Sequence, residues 1–168
     1  LDNDDVLTGR GTNPTLNVTL VENADIKQST ITPTLKGIET VNVHLRAQQT
    51  YTLDLQDATG VKNLSIDGVA DNKDFNATNL QAALETVTVQ NLHAPNADVE
   101  VNFLDKALNG AADKLALTIS DVQMDDLVIQ ERPGALDQGY ETINLKSTGD
   151  ANSINTLVAE DLQTLNIT

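Results

Sequence analysis

The chain has 168 residues, enough for one domain with its own core. A net charge of −15, from 25 Asp and Glu against 10 Lys and Arg, repels a phosphate backbone and argues against nucleic-acid binding. The absence of cysteine removes disulfides, zinc–thiolate sites and thiol nucleophiles, and 2% aromatic residues leave the core to Leu, Val, Ile, Ala and Thr. Such side chains fill narrow layered interiors better than they line deep pockets.

The chain opens on crowded carboxylates, Leu1-Asp2-Asn3-Asp4-Asp5. Gly9-Arg10-Gly11 follows, without the Gly-Lys-Ser/Thr that a phosphate loop requires. Thr15 to Leu20 alternates polar and apolar residues, the mark of a half-buried strand. A six-residue pattern then begins at Ile38 (Ile-Glu-Thr-Val-Asn-Val) and returns at Val61, Leu84, Tyr140 and Leu162, with a spacing of roughly 23 residues except for one long gap. Further strand candidates lie between the copies, at 50–55 and 98–103. Asp67-Gly68, Thr59-Gly60, Ala94-Pro95-Asn96, Pro133-Gly134 and Gly149-Asp150 supply turns. The long gap holds an irregular stretch, about 104–139. Its runs Leu104 to Leu108 and Ala111 to Leu115 fit short helices or an inserted loop, beside strand-like Leu115 to Ile119 and Leu127 to Ile129.

Many short strands with a regular step predict an all-β chain, a single repeat domain over 1–168. The favoured architecture is a β-solenoid, like a parallel β-helix with irregular loops; the alternative is a β-sandwich. No apolar run reaches the 18 residues of a membrane span, and no signal peptide is visible. A start at Leu1 without Met and an end at Thr168 inside a strand-like run lead us to expect a piece of a longer secreted protein.

The order Leu7-Thr8-Gly9, Thr15 to Leu20, Pro33 to Val43, Leu53-Asp54-Leu55, Ala58 to Leu64, Gly139 to Gly149 and Leu162 to Thr168 resembles the repetitive body of proteobacterial S-layer proteins and related large calcium-binding proteins exported by type I secretion. The chain departs from that group in having only 9 Gly and no Gly-Gly-x-Gly-x-Asp repeat. The resemblance implies a β-solenoid, Ca²⁺-dependent folding outside the cell, and assembly into a coat on the bacterial surface.

Catalytic constellations are absent from the pattern. His44 follows a strand and His93 precedes Pro95 in a turn. No Gly-x-Ser-x-Gly frames a nucleophile. Asp4-Asp5 and Asp125-Asp126 could suggest glycosidase chemistry, yet the basic and aromatic residues of a saccharide groove are sparse. The chain therefore reads as a non-enzyme. The plausible sites are for Ca²⁺, which takes oxygen ligands from Asp- and Asn-rich turns and would relieve the self-repulsion of so acidic a chain. The candidates are Asp67, Asp71, Asn72 and Asp74 around Gly68; Asp2, Asp4 and Asp5 with Asn3; and Asp150 with Asn152 after Gly149. Of the four Asn-x-Ser/Thr sequons, Asn17, Asn63 and Asn166 have outward parity and read as polar ladder positions; Asn76 is the fourth. The expected role is a structural segment that associates with neighbouring domains or copies of itself and with cell-surface polysaccharide. The alternative is an adhesin that recognises a ligand through 104–139.

Overall fold

An alternating strand has one apolar face, which must be covered. In the computed structural model of this chain the cover comes from the chain's own winding. The structure describes residues 1–21, 29–46, 49–68, 73–105, 107–132 and 138–168. Its strands, in order, are β1 (Val6–Thr8), β2 (Thr15–Leu20), β3 (Thr30–Ile31), β4 (Thr34–Lys36), β5 (Thr40–Leu45), β6 (Tyr51–Asp54), β7 (Ala58–Thr59), β8 (Asn63–Asp67), β9 (Phe75–Leu80), β10 (Thr86–Ala94), β11 (Val99–Phe103), β12 (Lys114–Glu131), β13 (Thr142–Thr148), β14 (Ser153–Ala159) and β15 (Thr164–Ile167). The described residues contain no helix.

Among the described residues every strand pairing is parallel, which makes the chain a solenoid of about 6 turns and removes the sandwich alternative. One face stacks β2, β5, β8, β10, the first half of β12, β13 and β15. The second stacks β3, β6, β9, β11, the second half of β12, and β14. A short third sheet joins β1, β4 and β7.

Register places apolar on apolar. Leu16, Val41, Leu64, Val87, Leu117, Leu145 and Ile167 form one continuous inward column. The six-residue pattern is the sequence trace of this stacking, with one offset. Thr40, Asn63 and Thr86 are paired, as are Thr142 and Thr164, but across β12 Thr86 meets Ala116 whereas Thr142 meets Lys114. The shift is two residues, so inward residues stay inward.

The few aromatic residues do not leave the core to aliphatics alone: Tyr51, Phe75, Phe103 and Tyr140 are all buried. Phe103 and Tyr140 meet edge to face, with centroids 5.7 Å apart. The Tyr140 hydroxyl donates to the Leu84 carbonyl and accepts from the Leu84 N–H, at 3.0 and 2.7 Å, and so pins two coils together. Burial pushes its phenol pKa up.

The corner between the two large faces is turned by a left-handed residue in four of the coils. Gly68, Asn91, Asp121 and Gly149 stand there in successive coils, with φ of 69°, 53°, 58° and 77°. They belong to the three residue types that tolerate this conformation best.

The stretch about 104–139 takes a different form from the short helices that its spacing allows. Leu104 to Asp113 is turn and bend in the described residues, with Leu108 fully buried. Residues 114–131 form β12, which passes through both faces and turns the corner at Asp121. Strand alternation from Leu115 wins here because β10 and β13 offer two ready edges. His93, expected in a turn, lies in β10 and is exposed.

Candidate functional site

The second face begins three successive coils in the same way. An Asp stands directly before the first inward residue: Asp74 before Phe75, Asp98 before Val99, Asp126 before Leu127. Their carboxylates form a ladder along the solenoid. Asp74 Oδ1 accepts the Asp98 N–H at 3.1 Å, and Asp98 Oδ1 accepts the Asp126 N–H at 3.1 Å. Thr50 Oγ1 takes the equivalent place one coil earlier, accepting the Asp74 N–H at 3.3 Å. Each oxygen satisfies a backbone donor at the entry to the sheet, much as an N-cap does for a helix.

Asp125 sits beside this ladder. Its N–H donates to the Ala97 carbonyl, and its Oδ1 accepts from Asn155 Nδ2 at 2.8 Å. Asp98, Asp125 and Asp126, all half-buried, each offer a carboxylate oxygen within 4.8 Å of the others. Three carboxylates so close repel one another, and a hard divalent cation is the usual relief. Chemically the group can bind a cation or serve as three structural acceptors.

The residues expected to bind metal are placed otherwise. Asp67 lies at the end of β8 and Asp74 at the start of β9, on different faces. Asp71 and Asn72 lie outside the described residues. Asp67 is engaged already: its Oδ2 is 2.8 Å from His44 Nδ1, and its Oδ1 accepts from Asn91 Nδ2 at 2.7 Å. The first-turn carboxylates fold their own loop. Asp2 Oδ1 accepts the Asp4 N–H, Asp5 Oδ2 accepts the Asp2 N–H, and Asn3 Oδ1 accepts the Thr32 N–H. Asn152 spends both ends of its amide, accepting from the Val122 N–H and donating to Ser147 Oγ and the Thr148 carbonyl. The Asp150 N–H donates to Asp121 Oδ1 at 2.8 Å. That bond, with the Ser120 hydroxyl and the charge of His93, holds the Asp121 carboxyl below the usual carboxylate range.

Asp98 is not among the candidate metal residues of the sequence, and Asp125-Asp126 enters there only as a glycosidase-like carboxylate pair. The signal was present: an Asp immediately before the inward run of three second-face coils, in Asp74-Phe-Asn-Ala, Asp98-Val-Glu-Val and Asp126-Leu-Val-Ile. The outward Asn positions, by contrast, do form ladders. Asn42 Nδ2 donates to Asn17 Oδ1 at 2.8 Å, Asn63 bridges Thr40 and Thr86, and Asn166 Nδ2 donates to Asn144 Oδ1 at 2.9 Å.

His44 is committed on both nitrogens, to Asp67 and to Arg46 Nε at 2.5 Å, so neither is available as a base. A cavity of about 20 Å³ beside Leu55 and Leu80 has room for one water. A shallow polar groove of about 330 Å³ crosses the outer side of β2, β5, β8 and β10, where Asn42, His44, Ser65 and Gln90 line it.

The chain is similar to an S-layer protein of Synechocystis sp., with 35% identity over 178 aligned residues that cover 96% of this chain. The chain spans 10% of the length of that relative. No family model and no solved structure matches it.

Proposed function

We propose that this chain is a structural, non-catalytic segment of a bacterial cell-surface layer protein, a stiff spacer that assembles with its neighbours into an extracellular coat. The observation that carries this reading is the similarity to a protein named S-layer protein across almost the whole chain. The physical character of the solenoid fits it. An unbroken inward column, stacked corners and hydrogen-bonded ladders make a rod whose stiffness is built into every coil.

Calcium is part of the proposal. A net charge of −15 opposes both folding and assembly, and the Asp98, Asp125 and Asp126 carboxylates are its most concentrated point among the described residues. A cation bound there would tie the β11 coil to the β12 coil. The test is thermal unfolding with parallel light scattering, first in EDTA and then in millimolar Ca²⁺. The melting temperature should rise with Ca²⁺ and particles larger than the monomer should form; Asp125→Asn should blunt the rise. A melting curve and particle size indifferent to Ca²⁺ would remove the metal from the account.

A further inference from the structure

The negative charge of this chain is not spread evenly over its two large faces. On the outer side of the first face, across β2, β5, β8, β10 and the first half of β12, the outward residues are mostly Thr, Ser, Asn and Gln. One column runs Asn42, Ser65, Thr88 and Thr118. A single carboxylate stands among these strands' outward residues, Asp67, and both its oxygens are engaged, by His44 and by Asn91. Arg46 donates in turn to His44, so a cation offsets that charge. The outer side of the second face is the opposite: Asp54, Asp74, Asp98, Glu100 and Asp126 all stand on it.

This difference selects a partner. Covering a carboxylate costs far more than covering a hydroxyl or an amide, whose bonds to water can be exchanged for bonds to a ligand. In a chain of charge −15 the first face is therefore the large surface most easily desolvated. Among the described residues no large apolar side chain is exposed on it, so it lacks the apolar core of a protein interface. Its Ser and Thr hydroxyls both donate and accept, as do its Asn and Gln amides, which complements a ligand that is itself covered in hydroxyls. The groove of about 330 Å³ lined by Asn42, His44, Ser65 and Gln90 lies on this side.

The spacing points the same way. The register is unbroken from β2 to β12, so equivalent side chains repeat along the solenoid axis at the strand separation, about 4.8 Å. That is close to the advance of one pyranose ring in an extended, β-linked glycan. We propose that the outer side of the first face binds a neutral, β-linked polysaccharide laid along the solenoid axis, one sugar to each coil, with the groove at Ser65 and Gln90 in the middle of its path. An anionic glycan is repelled by the charge of the chain. No aromatic ring lies among these outward residues, so binding rests on hydrogen bonds and is weak for one sugar and additive along the chain. The proposal goes beyond the coat reading and does not depend on it.

The test is calorimetric titration with two neutral series, cello-oligosaccharides and chito-oligosaccharides of two to six sugars, and with oligogalacturonate as the anionic control. Affinity for at least one neutral series should rise with every added sugar, the hexasaccharide binding at least tenfold tighter than the disaccharide, and oligogalacturonate should not bind. Ser65→Glu should weaken the hexasaccharide at least tenfold, whereas Asn76→Glu, which adds the same charge on the second face, should leave it unchanged. Gln90→Ala only shortens a groove side chain, so it keeps the test valid where Ser65→Glu fails to fold; it should weaken the hexasaccharide severalfold. Failure of both neutral series to bind, an affinity indifferent to length, or equal losses from Ser65→Glu and Asn76→Glu would overturn the proposal. So would dimers that Ser65→Glu dissociates, since they would assign this face to a second copy of the chain.

Discussion

The β10 and β15 coils are built from the same pattern and live in different surroundings. Thr86-Val-Thr-Val in β10 and Thr164-Leu-Asn-Ile in β15 share the alternation, the parity and the face. Yet Val87 and Val89 are fully buried, whereas Leu165 and Ile167 are 40% and 65% exposed. The difference is the coil above. In a solenoid a strand's sequence decides which way its side chains point, and the neighbouring coils decide how much that orientation is worth. Stability should accordingly be large in the middle of the stack and small at its last turn.

The largest effect is expected from the core of the central coils. Phe103→Ala empties a fully buried site against Tyr140 and should cost about 3–5 kcal/mol in urea unfolding. Ile167→Ala on the last coil should cost less than about 0.5 kcal/mol, since its side chain already meets solvent. A comparable loss from the two would break the comparison.

Next comes the tie between coils. Tyr140→Phe leaves both the Leu84 N–H and carbonyl without their side-chain partner, at a cost of about 1–3 kcal/mol, measurable as a lowered urea midpoint. A neutral result would mean that water replaces the hydroxyl and that the stack is looser there than its burial indicates.

The smallest effect lies at the exposed corner. The Asp121 carboxyl is held below its ordinary range chiefly by the Asp150 N–H. A depressed folded pKa means that the contribution is complete above the unfolded value, about 4, and fades as pH falls through the lower folded value. The stability difference between the wild-type chain and Asp121→Asn should therefore be constant from neutral pH to about 5 and shrink below about 4. A difference that grows with acidification would contradict the assigned hydrogen bond.

Much of this fold is legible in the sequence because a solenoid writes its period directly. The pattern at Ile38, Val61, Leu84, Tyr140 and Leu162 marks five coils of one face, with the β12 coil between the third and fourth, and the outward Asn17, Asn63 and Asn166 mark the ladders. The step between Leu84 and Tyr140 resisted reading because β12 carries both faces in one 18-residue strand, without the Gly that turns the corner after β8 and β13. The corner there is Asp121, whose left-handed backbone nothing in the local sequence announces. The two-residue offset at β12 was equally hidden, since it leaves the alternation intact. The acidic sites were less legible. Crowding along the chain pointed to Asp67 and Asp74, which the fold assigns to different faces, whereas Asp98 and Asp126 meet across 28 residues. Proximity in a solenoid runs between coils, so a carboxylate's neighbours lie one repeat away rather than beside it.

Native-state amide hydrogen exchange in dilute solution tests the account most directly, because it reads local stability strand by strand. The inward-facing stretches of β8, β10 and β12 should exchange slowest, with protection falling through β13 and β14 to almost none in β15. Uniform protection from β8 to β15, or a last coil as slow as the central ones, would contradict the claim that each coil owes its stability to the neighbours stacked on it.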